Sequence, residues 1–388
     1  MASIPIHGLQ ALNSGKSIPQ AESDACVRST AADAILSKCS AVDKGYFEDP
    51  FVHFFAPKKG VRRAPLINRG YYARFKAIDT ILNRFLNASS DEKKRQVVVL
   101  GAGVDTLYFR LSKDRKGDGQ QQGNHVTVFD LDFEQVCKKK IQIVRQNKAL
   151  AVLAKESTPE NRLEEETVRP ASEVEFHSSA YHILPVDLRD LASVESQLSN
   201  AGIDFNAPTL FLSECVLIYM EHEFSNSVIR FAAKKFSTSV FVTYEQIRPN
   251  TRFGSVMVDN IRRRGCPLRS IHEYPNCVSL KRRYETLGYR NVNVLDMNQV
   301  YYEYLDAKDV SRIQRLELFD ELEEWHLIQG HYSIVVAVNE NIDNTKSLGN
   351  ASSDGKSDLE KKNKSITESI AFVPKEEKVP SFFNKYVG

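Results

Sequence analysis

Gln96–Leu100 (QVVVL) is a continuous apolar run, and Gly101-Ala102-Gly103-Val104-Asp105-Thr106 follows it without a gap. A strand with no polar alternation is buried on both faces, the condition of a parallel sheet covered by helices on either side. Further β-rich runs follow at His125–Phe129, His182–Val186, Thr209–Leu212, Ser239–Thr243, Val292–Leu295 and Tyr332–Val338. Helical patterns lie between them. In Glu221–Lys235, for example, Phe224, Val228, Phe231 and Ala232 fall on one face. Seven strands alternating with helices predict an α/β fold built on a doubly wound, mostly parallel sheet.

A chain of 388 residues with 42% hydrophobic content can bury a sizeable core. Neither an internal repeat nor a Gly/Ser/Pro linker divides its middle, so residues 23–340 read as a single domain. Within it, 23–90 form a helical cap, with Ala31–Leu36 and Phe75–Leu82 as the best helical stretches, and 96–340 form the Rossmann-like core. Residues 112–124 read as a loop, and the charged stretch 147–180 as an insertion beside the sheet. Residues 1–22 and 341–388 are too poor in periodic apolar positions to offset the entropy of ordering, and are expected to be disordered.

Several function classes are disfavoured. The formal net charge is +2, so the basic runs Lys58-Lys59, Arg62-Arg63 and Arg262-Arg263-Arg264 read as solvated faces or contacts for an acidic protein, with no nucleic-acid partner. No apolar run is long enough to span a bilayer, and MASIPIHGLQ is not a secretory signal, so no membrane partner and a cytoplasmic location are expected. The N-x-S patterns at Asn87, Asn350 and Asn363 then read as chance matches. Cys26, Cys39, Cys137, Cys215, Cys266 and Cys277 show no C-x-x-C spacing and read as free thiols. Histidine spacing gives no metal site. Trp325 reads as a packed aromatic near a helix end.

The chemistry is concentrated at strand ends, where open α/β sheets bind ligands. Gly101 and Gly103 allow a sharp turn and close approach of a ligand to the backbone. Thr106 stands where the dinucleotide fingerprint needs its third glycine, which favours an adenosyl ligand without a pyrophosphate. Phe129-Asp130-Leu131-Asp132 closes the second strand, and either acid suits the two ribose hydroxyls; pattern alone leaves both open. After the third strand, Asp187 suits an adenine amino group and Leu188 the ring face. Glu214 ends the fourth strand, where an unpaired charge would be costly, so it meets a ligand or a basic side chain. Cys215 beside it reads as a small core residue.

The sequence resembles the leucine carboxyl methyltransferases. The blocks that carry this are Lys44–Phe51 (KGYFEDPF), Arg69–Arg74 (RGYYAR), Gly101–Thr106, Asp187–Leu191 (DLRDL), Glu214–Met220 (ECVLIYM), Tyr244-Glu245-Gln246 and Arg252-Phe253-Gly254, in the family's order between about 24 and 339. The resemblance implies a class I S-adenosylmethionine-dependent methyltransferase fold, with S-adenosyl-L-methionine as cofactor. It implies that Lys38 and Arg74 hold the methionyl carboxylate, that Gly101 lines the backbone side and that Asp132 rather than Asp130 binds ribose. Asp187 and Leu188 then bind adenine, and Glu214 is a further cofactor contact. It also implies the reaction: methyl transfer to the α-carboxylate of the C-terminal leucine of the protein phosphatase 2A catalytic subunit. The long charged insertion and the extended tail depart from the family pattern.

A carboxylate is already ionised at neutral pH, so no catalytic acid or base is assigned. Tyr219, just past Glu214, is the candidate substrate contact. A monomer is expected. The rival readings are a paralogue acting on a modified base in transfer RNA, which carries a long C-terminal repeat domain where this chain has a polar tail, and a catalytically silent S-adenosylmethionine-binding module. A nicotinamide dehydrogenase is disfavoured by the missing third glycine.

Overall fold

β1 (Lys94–Leu100) is exposed only at its first residue, and its alternate side chains feed two different cores. Val97 and Val99 enter the apolar cluster shared with the N-terminal helices, while Val98 and Leu100 enter the cluster on the opposite face. Period-two alternation with both faces apolar is what a sheet between two helical layers requires. The computed structural model describes residues 19–56, 61–88, 94–117, 125–156, 172–340 and 365–370.

The other strands are β2 (His125–Asp132), β3 (Phe176–His177), β4 (Tyr181–Pro185), β5 (Thr209–Glu214), β6 (Thr238–Gln246), β7 (Asn291–Asp296) and β8 (Tyr332–Glu340). Their order in the sheet is β3-β4-β2-β1-β5-β6-β8-β7. β4, β2, β1, β5 and β6 run parallel, whereas β8 is antiparallel to both β6 and β7. The chain winds outward from β1 to β2 and β4, then crosses back to β5 on β1's other side. The crevice at the carboxyl ends of β1 and β5 is therefore the topological switch point.

All seven expected strands form. The eighth, β3, lies in the charged insertion and pairs antiparallel with β4 at the edge of the sheet. The Leu107–Gly117 helix runs into the stretch expected to be a loop. The helix after β5, His222–Lys235, buries Val228, Phe231 and Ala232 as its pattern predicts, but Phe224 in its first turn is 44% exposed. Trp325 is fully buried, edge-on to Tyr301.

The cap consists of the helices Gln20–Asp43, Val52–Phe55 and Pro65–Leu86. Pro65 opens the last of these at a position where a missing N–H costs nothing. Residues 20–22, expected to be disordered, are the first turn of the first cap helix. The tail also departs from expectation. Ile366–Ile370 is a short helix whose Ile366 and Ile370 are buried against the Pro65–Leu86 helix and β8. Glu340 fixes it by accepting from the backbone N–H of Ile366 and Thr367 at 3.2 and 3.3 Å. The expectation of disorder for residues 1–18, 341–364 and 371–388 lies outside the described residues. Among the described residues no helix is long and apolar enough to cross a membrane, and all six cysteines are free.

Candidate active site

The β1–helix turn sets the floor of the crevice. Gly101 and Gly103 have φ of +58° and +54°, a region that side chains other than glycine rarely occupy. A Cβ on Gly101 would lie 2.6 Å from a Val216 methyl, so the turn and the β5 end interlock only because glycine is present. The Gly103 N–H donates to Asp132 Oδ2 at 2.7 Å, and the Phe133 N–H to Asp132 Oδ1 at 2.7 Å. Burial nevertheless raises the Asp132 carboxyl to about 6, the two N–H donors countering only part of the desolvation.

The two acids that pattern could not separate have different surroundings. Asp130 is buried, accepting from Lys140 Nζ at 2.7 Å and from the Tyr181 hydroxyl at 2.6 Å, and is spoken for within the protein. Asp132 faces the crevice.

Two ion pairs tie the cap to the strand ends. Lys38, from the first cap helix, donates to Asp105 Oδ2 at 2.6 Å. Burial alone would lower the Lys38 pKa; the Asp105 and Glu214 carboxylates outweigh it and hold the amine charged. Burial likewise works against the Asp105 charge, but Lys38 and Arg110 hold that carboxyl well below its ordinary range. Arg74, from the Pro65–Leu86 helix, donates through Nε to Glu214 Oε2 at 2.5 Å, and its guanidinium lies 4.8 Å from the Tyr244 ring centroid. A third pairing lies after β4: Arg189 donates to both oxygens of Asp187 and to both of Asp24, from the first turns of the first cap helix.

β5 ends in a strained turn. Cys215 has φ +56°, and its N–H bonds the Tyr244 carbonyl at 2.8 Å. The single turn Leu217–Tyr219 follows, held from below by Glu245, which accepts the Ile218 N–H at 2.8 Å. Burial raises that carboxyl to about 7, against the opposing pull of Arg283 and the backbone donors. The half-buried Tyr219 is thereby placed at the crevice.

All eight residues singled out in the sequence, Lys38, Arg74, Gly101, Asp132, Asp187, Leu188, Glu214 and Tyr219, line one cavity of about 460 Å³. Its other wall had no role assigned from the sequence, although Tyr71, Tyr244 and Gln246 stand in the blocks that carry the resemblance. Tyr71, Tyr244, Gln246, Gln329 and Tyr332 line it too, with Tyr244 and Tyr332 stacked at 5.2 Å between centroids. The strand-end rule reaches them: Tyr244 and Gln246 close β6, and Tyr332 opens the reversed β8, which starts where its neighbour ends. Asp24 gave no such signal. Among the described residues, no group of acidic, histidine or cysteine side chains is arranged to hold a metal, and no histidine lines the cavity.

Comparison with known proteins places the chain in a family. The family model described as leucine carboxyl methyltransferase matches residues 26–233. The leucine carboxyl methyltransferase 1 homolog of Arabidopsis thaliana is 38% identical over 81% of this chain and 90% of its own length. Leucine carboxyl methyltransferase 1 of Rattus norvegicus is 32% identical over 80% of this chain and 89% of its own. The tRNA wybutosine-synthesizing protein 4 of Homo sapiens is 38% identical over 80% of this chain, which spans only 44% of that protein. This chain belongs to the leucine carboxyl methyltransferase family: it is a class I methyltransferase whose methyl donor is S-adenosylmethionine.

Proposed function

We propose that the protein methylates the α-carboxylate of the C-terminal leucine of the protein phosphatase 2A catalytic subunit, in the cytosol. The observation that carries the reading is the set of side chains that line one cavity. It is lined by the cations Lys38 and Arg74, each paired with an acid (Asp105, Glu214), by the acids Asp132 and Asp187, by an apolar Leu188 and by a tyrosine-rich wall. A donor with a methionyl carboxylate, a ribose and an adenine asks for groups of these kinds, and a volume of about 460 Å³ is of the size that small-molecule sites have.

In this reading Arg74 and Lys38 hold the methionyl carboxylate. Glu214 engages Arg74 Nε, which fixes the plane of the guanidinium and leaves its two terminal nitrogens for a bidentate grip. Gly101 lets the ligand rest on the turn. Asp132, steadied by two backbone donors, accepts from the ribose hydroxyls. Asp187 and Leu188 take the adenine. When bound, the cofactor supplies an electrophilic methyl group on a sulfonium.

The rest of the task is orientation and desolvation of the incoming carboxylate. The nucleophile arrives ionised and needs no base, which suits a cavity without histidine. Tyr219, on its braced turn, contacts the substrate side. The experiment is transfer of labelled methyl to the phosphatase catalytic subunit, with and without its last leucine. The transfer RNA reading has the similarity to the human wybutosine-synthesizing protein in its favour, and labelled transfer RNA in place of phosphatase would establish it.

A further inference from the structure

The Arg252–Arg263 helix stands on the rim of the cavity and buries only one of its own residues, Gly254. Thr251 caps it by accepting the Gly254 N–H at 2.9 Å. It is held down by a small apolar cluster in which Met257, Val258 and Ile261 pack with Tyr219 around Ile218, Leu268 and Ile271. Ile261 and Arg264 reach the cavity itself. A helix of this length is marginal in water without packing, so one so little buried is a surface kept for something other than the core.

Its outer face has a definite chemistry. Arg252, Arg262 and Arg263 are exposed, and Val256 between them is 57% exposed. Arg262 leans on Asp259 at 3.3 Å. Among the described residues, neither Arg252 nor Arg263 makes an ion pair. Cations left uncompensated around an aliphatic side chain suit an acidic protein surface with an apolar contact at its centre. A nucleic-acid backbone fits less well, since its phosphates would engage the arginines and offer Val256 no apolar surface to bury against.

We infer that the outer face of the Arg252–Arg263 helix docks the folded protein whose carboxyl terminus enters the cavity, through acidic residues next to that terminus. The inference rests on the protein-substrate reading above. Docking there joins binding to chemistry, because the helix and Tyr219 share one apolar cluster: the partner's body is gripped on one side of it while its terminal carboxylate is presented on the other. Remote binding of this kind supplies the free energy that orients and desolvates the nucleophile, and an isolated terminal peptide lacks it.

The test uses the full chain with the phosphatase catalytic subunit, in the double variant Arg252→Glu/Arg263→Glu and the single variant Val256→Asp. These positions are exposed and line no part of the cavity. KM for the phosphatase should rise about tenfold in the double variant, the scale of a few rim charges reversed. Its kcat at saturation and its S-adenosylmethionine affinity should stay within about twofold of wild type. The wild-type KM should climb with ionic strength, and that of the double variant should climb much less. Val256→Asp should raise KM with the same cofactor affinity. Unchanged KM in both variants, with wild type active, would overturn the docking surface alone. Loss of transfer RNA retardation in the double variant, with phosphatase KM unmoved, would assign the helix to nucleic acid and also overturn it. Absence of label on the phosphatase with wild type would instead overturn the substrate reading, and the docking inference with it.

Discussion

Arg74 and Glu214 meet at 2.5 Å, so the helix that carries the guanidinium is clamped to the end of β5 across the mouth of the cavity. Neither side chain is fully buried, and the pair spans 140 residues of sequence. One arginine thus ties the cap to the sheet, and in the proposed reading it also grips the methyl donor.

Arg74→Ala should weaken S-adenosylmethionine binding by about 1.5–3 kcal/mol, the scale of hydrogen bonds to a charged group. Arg74→Lys should recover only part of it, because an ammonium cannot reproduce the planar fork. Glu214 loses its partner in the alanine variant, so a small drop in the ligand-free thermal midpoint is expected as well. Calorimetry and thermal melts check both; cofactor affinity equal to wild type in Arg74→Ala would remove the residue from the binding site.

The raised carboxyl of Asp132 gives two pH effects of opposite sign. Its folded pKa, about 6, is above the ordinary value of 3.8 because burial opposes the charge. Its contribution to the stability of the free protein is therefore fully present below the unfolded pKa, near 4, and is lost as pH rises through 6. Cofactor affinity should run the other way and fall as pH drops through 6, since a protonated carboxyl accepts poorly from two hydroxyls. Asp132→Asn should flatten both dependences relative to wild type. Affinity that is level from pH 7.5 to 5 in the wild type would contradict the ribose assignment.

Gly101→Ala is expected to cost about 1–3 kcal/mol of stability, from the positive φ and the contact with Val216 together. Combining it with Val216→Ala should recover the steric part and leave the backbone strain. A double variant no more stable than Gly101→Ala would show that the crowding at Val216 is immaterial. Denaturant unfolding of the three proteins decides it.

The short helix Ile366–Ile370 should stabilise the domain without serving the site. Burying an isoleucine contributes at most about 2–3 kcal/mol, offset by the cost of ordering the segment. Ile366→Ala/Ile370→Ala should lower the thermal midpoint and leave S-adenosylmethionine affinity unchanged. A change in affinity would connect this helix to the cavity through the Pro65–Leu86 helix on which it packs.

The strands and their ends were legible because burial on both faces leaves an unbroken apolar run, and because a carboxylate after such a run has few places to go. That logic found Asp187 just past β4, Glu214 at the end of β5 and the pair Asp130 and Asp132 at the end of β2 from local pattern alone. It stopped where the site is assembled from distant chain. Asp24 joins Asp187 only through Arg189, and nothing near Asp24 in sequence announces it. The choice of Asp132 over Asp130 needed a resemblance beforehand and the Lys140–Tyr181 environment of Asp130 afterwards, because alternation treats the two acids alike. The buried ends of Ile366–Ile370 were hidden by a polar composition that argued for disorder in the segment as a whole, while two apolar residues four apart suffice for one turn to dock.

The most direct test of the central claim is methyl transfer from labelled S-adenosylmethionine to the phosphatase catalytic subunit, read before and after mild alkali. Label should be absent when the terminal leucine is deleted, and should be released by alkali, as a methyl ester is. Alkali-stable label, or label on transfer RNA and none on the phosphatase, would contradict it.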